Sequence, residues 1–368
     1  MIEEIQIRRG SIPLSETIPP QLWIAEWSNQ LFVRLTASGV VGWGEVLPAA
    51  GNTPEPYIAM IRRFAEGITG ENEAEIKGLW KTMRRISFTG GYGITTGAMS
   101  GIDIALWDIL GKKSGSPVFK LIGEKLTSPP KLSRYLSLSR YSDNDKLRAA
   151  VGNLINQGYK SIKIHQSAED TLDGVRILRQ SFGKDFELMV DLNCGFSYPA
   201  AEEFMRQVEP YELKWIEEPV WPPDDFDSLR KLNRMGPVAA GENFFSIHEF
   251  RRLLETDSLT FYQPDVAKCG GITALCEIVE AITTHGSRAA LHNRPHNGWV
   301  GLVAGAHVAS SFDSSAIIES PPNEIPLKYF DFMGMLDKQS IQVGGPGLGI
   351  GPIEPIPESS DSKLLRFH

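Results

Sequence analysis

A chain of 368 residues, 42% hydrophobic and 22% charged, has enough apolar material for a large core and enough length for two domains or a barrel with additions. Its net charge of −8 argues against nucleic acid or an anionic membrane as the main partner, while leaving room for a small anionic ligand. Cys194, Cys269 and Cys276 are too few and too scattered for a disulfide framework, "MIEEIQIRRG" has no signal-peptide core, and no apolar run reaches membrane length, so a cytoplasmic location is expected.

Residues 1–47 read as strands. "IEEIQIRRG" and "NQLFVRLTAS" alternate with a period near two, and "GVVGWGEV" is a strand punctuated by glycine. Between them, residues 12–28 form a proline-rich loop carrying Trp23 and Trp27, a candidate apolar lid. From Pro54 to Gly123 the pattern turns helical. In "SGIDIALWDILGKKSG", Ile102, Ala105, Leu106, Ile109 and Leu110 make one buried stripe, ended by Gly111, Gly115 and Pro117. Strands followed by helices make an α+β unit.

From Leu132 to about Glu319, eight short apolar runs alternate with helical segments: "LSRYLSLS", "SIKIH", "ELMVDLN", "KWIEEP", "VAAGEN", "LTFYQPD", "RAALHN" and "AIIES". That grammar predicts a parallel α/β barrel. The Gly/Pro-rich tail "IQVGGPGLGIGPIEPIPESS" is expected to pack back on the N-terminal unit.

In such a barrel the chemistry belongs at the carboxyl ends of the strands. Those ends carry, in order, Lys163 and His165; Asp191 and Asn193; Glu217 and Glu218; Glu242 and Asn243; Gln263 and Asp265; His292 and His296; and Glu319. Asp191, Glu217 and Glu242 sit about one strand–helix unit apart and should converge on one rim. Three carboxylates brought together repel unless a cation lies among them, and an all-oxygen donor set suits Mg²⁺. Glu218 should face away from Glu217, because neighbouring strand residues point to opposite sides. The pair His292 and His296 has a metal-like spacing, but Pro295 disfavours the helix a zinc site of that kind uses. A histidine paired with Asp265 is the better reading, since a carboxylate fixes the tautomer and raises the ring's basicity. Residues two apart on a strand share a side, so Lys163 and His165 point the same way.

Together these residues resemble the enolase superfamily, and within it the mandelate racemase subgroup, over nearly the whole chain. "GVVGWGE" and "SGIDIALWDILGKKSGSPVFKLIG" are similar to that family's capping-domain signatures. "VDLN", "WIEEPV" and "GEN" resemble its three metal-ligand strands, "QPDVAKCGGIT" and "PHNGWVGLVAGAHVAS" its catalytic dyad, and "IIES" its strand-eight glutamate. The resemblance implies an α+β capping domain over residues 1–125, a modified TIM barrel of (β/α)₇β form over 126–325, and a C-terminal segment, 326–368, packed back on the capping domain. It implies Mg²⁺ held by Asp191, Glu217 and Glu242, an Asp265–His296 dyad with His296 as the base, and Lys163 and Glu319 at the substrate. Asn193, Arg294 and Trp23 are the expected substrate contacts, Arg294 as a partner for the far carboxylate of a diacid or as a surface ion pair. A homo-oligomer is expected on the same ground.

The shared step of that family is removal of a proton α to a carboxylate, with the charge that develops stabilised electrostatically. The family's strand-two pattern is Lys-x-Lys, whereas this chain has Lys163 and His165. Histidine is shorter and has an unperturbed pKa of about 6.5 against about 10.4 for lysine. Dehydration of an acid sugar, which needs one principal base, is therefore the leading expectation. His165 then serves as a substrate ligand or secondary acid–base group, or hydrogen-bonds near the metal. The alternatives are a racemase or epimerase using both histidines, a lactone cycloisomerase, an inactive ligand-binding barrel, and a lyase forming a Schiff base at Lys163.

Overall fold

The computed structural model describes residues 1–11, 29–48, 54–123, 128–141, 143–294, 298–313, 315–321, 329–353 and 355–357. The loop 12–28, with Trp23 and Trp27, lies outside them, as does His296.

The N-terminal unit begins with three antiparallel strands, β1 (Ile2–Ser11), β2 (Asn29–Ala37) and β3 (Val40–Val46), with β2 in the middle. Helices α1 (Pro54–Ile68), α2 (Ile76–Ile86), α3 (Ile94–Ser114) and the short α4 (Val118–Ile122) follow. The glycines of "VVGWGEV" have a direct packing reason. A Cβ on Gly44 would stand 1.8 Å from the Gly101 carbonyl oxygen, and one on Gly42 would stand 2.2 Å from that of Ala105. Only bare backbone lets α3 lie so close against β3. The alternate residues, Trp43 and Glu45, then face the other way, toward the rest of the molecule.

The barrel has eight parallel strands: β4 (Leu132–Ser137), β5 (Ser161–Ile164), β6 (Glu187–Asp191), β7 (Ile216–Glu217), β8 (Val238–Ala240), β9 (Phe261–Tyr262), β10 (Arg288–Leu291) and β11 (Ile317–Ser320). Pairing of β11 with β4 closes it. Seven helices alternate with the strands among the described residues: α5 (Asn144–Asn156), α6 (Ala168–Phe182), α7 (Tyr198–Val208), α8 (Phe226–Asn233), α9 (Ile247–Glu255), α10 (Gly271–Thr284) and α11 (Trp299–Phe312). This is the (β/α)₇β arrangement expected. No helix among the described residues is long and apolar enough to cross a membrane.

The C-terminal segment touches both units. Its strand β12 (Ser340–Ile341) pairs antiparallel with β4, at the barrel's amino end. Further on, Gly347 bridges to Pro117 and the Pro357 carbonyl accepts from the Arg9 amide.

One expectation about α3 needs correction. The helix is not striped. Ile104, Asp103 and Asp108 are buried along with Ile102, Ala105, Leu106 and Ile109. It is covered by β3 and α1 within its own unit and by α10 of the barrel. A helix enclosed all round reads as core, and its polar residues must then find partners. Asp103 accepts from the Thr273 amide at 2.9 Å and the Thr273 hydroxyl at 2.6 Å, at the start of α10. Glu45 does the same for α11, accepting from the Val300 and Gly301 amides at 2.8 and 3.0 Å. Asp108 joins Trp43, Leu348 and Lys112, tying in the C-terminal segment. Two helix N-termini of the barrel are thus capped by carboxylates from the other unit.

His307, on α11, is a further tie. Its Nδ1 accepts from the Phe119 amide at 3.1 Å, so its Nε2 carries the proton and donates to the Leu348 carbonyl at 3.2 Å. Burial pushes its pKa down from 6.5 to about 4. Between those values the unfolded chain binds a proton that the folded chain refuses, so stability falls as the pH falls through that window. A His307→Gln variant keeps a neutral side chain and escapes this loss. We expect it to be less stable than the parent at pH 7, with the gap narrowing by on the order of 1–3 kcal/mol by pH 4. Urea unfolding at pH 7, 5.5 and 4 measures this, and parallel profiles would refute it.

Candidate active site

The strand period builds the site in two tiers. Met189, Trp215, Phe261, Ala290 and Ile317 form part of an apolar layer inside the barrel. Two residues further along the same chain segments come Asp191, Glu217, Gln263, His292 and Glu319. The period of two that buries the apolar layer therefore aims the polar layer along the same axis.

Asp191, Glu217 and Glu242 each place a carboxylate oxygen within 4.8 Å of the others, as expected from the sequence. Glu217 is the most tightly held. Lys163 Nζ donates to its Oε1 at 2.5 Å, and Trp215 Nε1 and Gln263 Nε2 donate to its Oε2 at 3.0 and 2.7 Å. The fully buried Lys163 also lies 3.1 Å from Glu319 and 3.6 Å from Asp191. Burial opposes its charge, but Glu217, Glu319 and Asp191 outweigh that and hold its pKa well above the ordinary value. That favours the ammonium form, which is not the nucleophile a Schiff base needs.

The carboxylates respond in opposite ways. Burial raises Glu217 to about 7. For Asp191 burial is outweighed by Lys163 and His165, and its pKa falls. For Glu242 it is outweighed by His292 and Lys268, which hold the pKa well below the carboxylate range. Hard oxygen donors of mostly ionised carboxylates, close together and without a thiolate, fit a divalent cation such as Mg²⁺.

The histidine paired with Asp265 is His292. Its Nδ1 donates to Asp265 Oδ2 at 2.6 Å, and its Nε2 lies 2.5 Å from Glu242 Oε2 and 4.0 Å from Glu319. The dyad expected from the resemblance, Asp265–His296, involves a residue that lies outside the described ones. Strand β10 stops at Leu291, so the next residue is the one at the rim. Burial opposes protonation of His292, yet Glu242 and Glu319 prevail and its pKa rises to about 10. His165 lies at the other end of the cluster. Its Nδ1 donates to the Leu138 carbonyl at 2.6 Å, which turns Nε2 toward Asp191 Oδ2 at 3.0 Å. The two histidines flank the acidic triad, one beside its β6 member and the other beside its β8 member.

A cavity of about 860 Å³ opens over these groups. The capping unit contributes Leu47, Tyr57, Tyr92 and Ile94 to its wall. Of the expected substrate contacts, Asn193 and Arg294 line it, while Trp23 lies outside the described residues. Glu218 lines it too, contrary to the expectation that it faces away. Its φ of 40° breaks the strand alternation and lets Asn243 Nδ2 donate to it at 2.8 Å. Two wall residues had no role from the sequence. Lys268 lies 3.4 Å from Glu242, and Arg140 donates to the His165 carbonyl at 2.9 Å. Lys268 stands three residues after Asp265 in "QPDVAKCGG", and that proximity was the available signal.

Comparison with known proteins agrees with this geometry. Residues 146–355 match the "Enolase C-terminal domain-like" family model, and residues 13–123 match the "Mandelate racemase / muconate lactonizing enzyme, N-terminal domain" model. A D-galactonate dehydratase from Klebsiella pneumoniae (strain 342) is 31% identical over 261 residues, 67% of each chain. In fold, the chain is similar to a 3,6-anhydro-D-galactonate cycloisomerase from Zobellia galactanivorans, with a TM-score of 0.80 at 24% identity over 96% of this chain and 97% of that one. It is similar in the same way to a racemase from Streptomyces coelicolor A3(2) with bound magnesium, with a TM-score of 0.81 at 23% identity over the same shares. The two matched domains, the acidic triad and the capped barrel lead to one conclusion: this chain belongs to the mandelate racemase/muconate lactonizing enzyme family of the enolase superfamily.

Proposed function

We propose that the protein is a Mg²⁺-dependent dehydratase that converts an acid sugar to its 2-keto-3-deoxy product. The observation that carries this reading is the His292–Asp265 pair set beside an all-oxygen triad at the floor of the cavity. The dehydratase relative supports the choice of reaction. A Mg²⁺ ion held by Asp191, Glu217 and Glu242 would supply Lewis-acid stabilisation of the charge that develops on the substrate carboxylate. Lys163, already positive, adds a hydrogen-bond donor to that charge. A cation held by Asp191, Glu217 and Glu242 would compete with His292 for the Glu242 carboxylate and so would favour the neutral imidazole that a base needs. His292 then takes the α-proton through Nε2, with Asp265 fixing the tautomer at Nδ1. The C3–O bond breaks as the C2–C3 double bond forms. The departing hydroxyl takes a proton from His292 or Glu319 and leaves as water, and the enol becomes the 2-keto acid.

A second reading rests on His165. Its Nε2 faces the triad from the flank opposite His292, the arrangement two-base epimerisation requires. The one-base reading stands ahead of it because His292 has a carboxylate, Asp265, on its Nδ1, whereas His165 Nδ1 meets only the Leu138 carbonyl.

Three outcomes test these assignments. A proton NMR screen of acid sugars in D₂O with Mg²⁺ should show a 2-keto-3-deoxy product; deuterium exchange at C2 with epimer formation and no dehydration would select the two-base reading. His292→Asn should lower turnover by about 10²–10⁴-fold, and Asp265→Asn by about 10–100-fold. Loss of turnover in His296→Ala but not in His292→Asn would return the base to position 296. Mg²⁺ should raise the melting temperature of the parent protein, and Asp191→Asn or Glu242→Gln should remove most of that rise. A rise of equal size in both variants would place the ion elsewhere.

A further inference from the structure

The chemistry proposed above uses the triad, Lys163, His292 and Asp265, and leaves Arg294 without a task. Arg294 lies two residues beyond His292, lines the cavity, and is only partly exposed. Its described hydrogen bond goes to a neutral acceptor, the Pro48 carbonyl, from one terminal nitrogen at 3.0 Å. No carboxylate among the described residues lies within 4.0 Å of it. Yet a guanidinium carries five donors and is never neutral.

The acidic groups around Arg294 are already engaged. Glu242, Asp265, Tyr57 and Glu45 are the acidic groups facing it, and Lys268 is a second cation nearby. Asp265 is bound by His292 and by the Ala267 amide at 2.7 Å. Glu242 is bound by His292 and Lys268 and belongs to the triad. Glu45 accepts from the start of α11, and burial raises its pKa to about 8, so it is mostly protonated at pH 7. Arg140, the other guanidinium in the wall, differs in this respect. It faces Asp191 and Asp170, and it donates to the His165 carbonyl at the reacting end. Arg294 reaches instead to Pro48 and Tyr57, where the capping unit covers the barrel.

We propose that Arg294 is a distal anion subsite, and that the preferred substrate carries a second carboxylate at the end remote from the reacting one. The substrate class is then an aldarate rather than an aldonate. This rests on the acid-sugar reading above and narrows it. One carboxylate meets the triad and Lys163; the other meets the planar fork of Arg294, which can bind it through two parallel hydrogen bonds. An aldonate offers a neutral hydroxymethyl group at that end and gives the guanidinium no carboxylate within ion-pair distance.

The test uses pairs that differ only at the terminal carbon: D-galactonate with galactarate, and D-gluconate with D-glucarate. Two readouts are taken with Mg²⁺ present. One is kcat/KM of the parent protein and of Arg294→Gln and Arg294→Lys. The other is equilibrium binding by calorimetry to His292→Asn, with and without Arg294→Gln, which needs no turnover. We expect the diacid of a pair to be favoured about 10- to 100-fold in both readouts, Arg294→Gln to erase that ratio, and Arg294→Lys to restore part of it. Equal treatment of both members of each pair, or a ratio unchanged by Arg294→Gln, overturns the proposal. Should no acid sugar be dehydrated while diacids still bind through Arg294, the dehydratase reading fails and the subsite stands. If Arg294→Gln does not fold, the parent ratio and the lysine variant decide the matter.

Discussion

Concentrating carboxylates is the physical problem around which this molecule is arranged. Asp191, Glu217, Glu242 and Glu319 meet at one end of the barrel, largely shut off from water. Left alone they would repel, and burial would protonate them. Lys163 answers at the centre, in contact with three of the four. His292 and Lys268 answer on Glu242, and His165 answers on Asp191. The site is held together by charge matching rather than by packing. In the proposed chemistry the lysine that neutralises the cluster also meets the substrate carboxylate.

The same physics, with a different outcome, joins the two units. Asp103 and Glu45 are buried acids, but their partners are backbone amides at helix starts rather than ammonium groups. Burial raises Asp103 to about 7 and Glu45 to about 8. They act as oriented hydrogen-bond acceptors more than as charges. Apolar burial along α3 supplies the adhesion, and these two residues tie it to two particular helix starts. Since α11 follows directly from the segment carrying His292 and Arg294, the capping unit is anchored to the element that also positions the proposed base.

Much of this was legible in the sequence because strands impose a simple rule. A carboxylate directly after a short apolar run points into the barrel mouth, and three such runs in series named Asp191, Glu217 and Glu242. The same rule placed Lys163 and His165 on one side. It was silent where the strand ends and failed where its backbone turns. Nothing in "RAALHNRPHN" marks Leu291 as the last strand residue, so His292 and His296 competed, and the resemblance favoured the histidine within "PHNGWVG". The left-handed backbone at Glu218 leaves no trace in composition, so its presence in the cavity wall was unreadable. The helix α3 was misread as striped for a third reason. The surface that covers its outer face, α10, lies far along the chain, and local periodicity is blind to it.

That distance has a consequence for how the chain comes into being. Synthesis runs from the N-terminus, so α3 emerges long before Gly271 begins the helix that covers it. Until then α3 lacks its cover and Asp103 the amide it caps, and the amides for Glu45 come later still, with α11. Barrel closure waits longer still, because β4 has no partner on one side until β11 is made. The nascent N-terminal unit therefore keeps an uncovered apolar face for as long as translation of the next 150 or so residues takes, at about 5–20 residues per second.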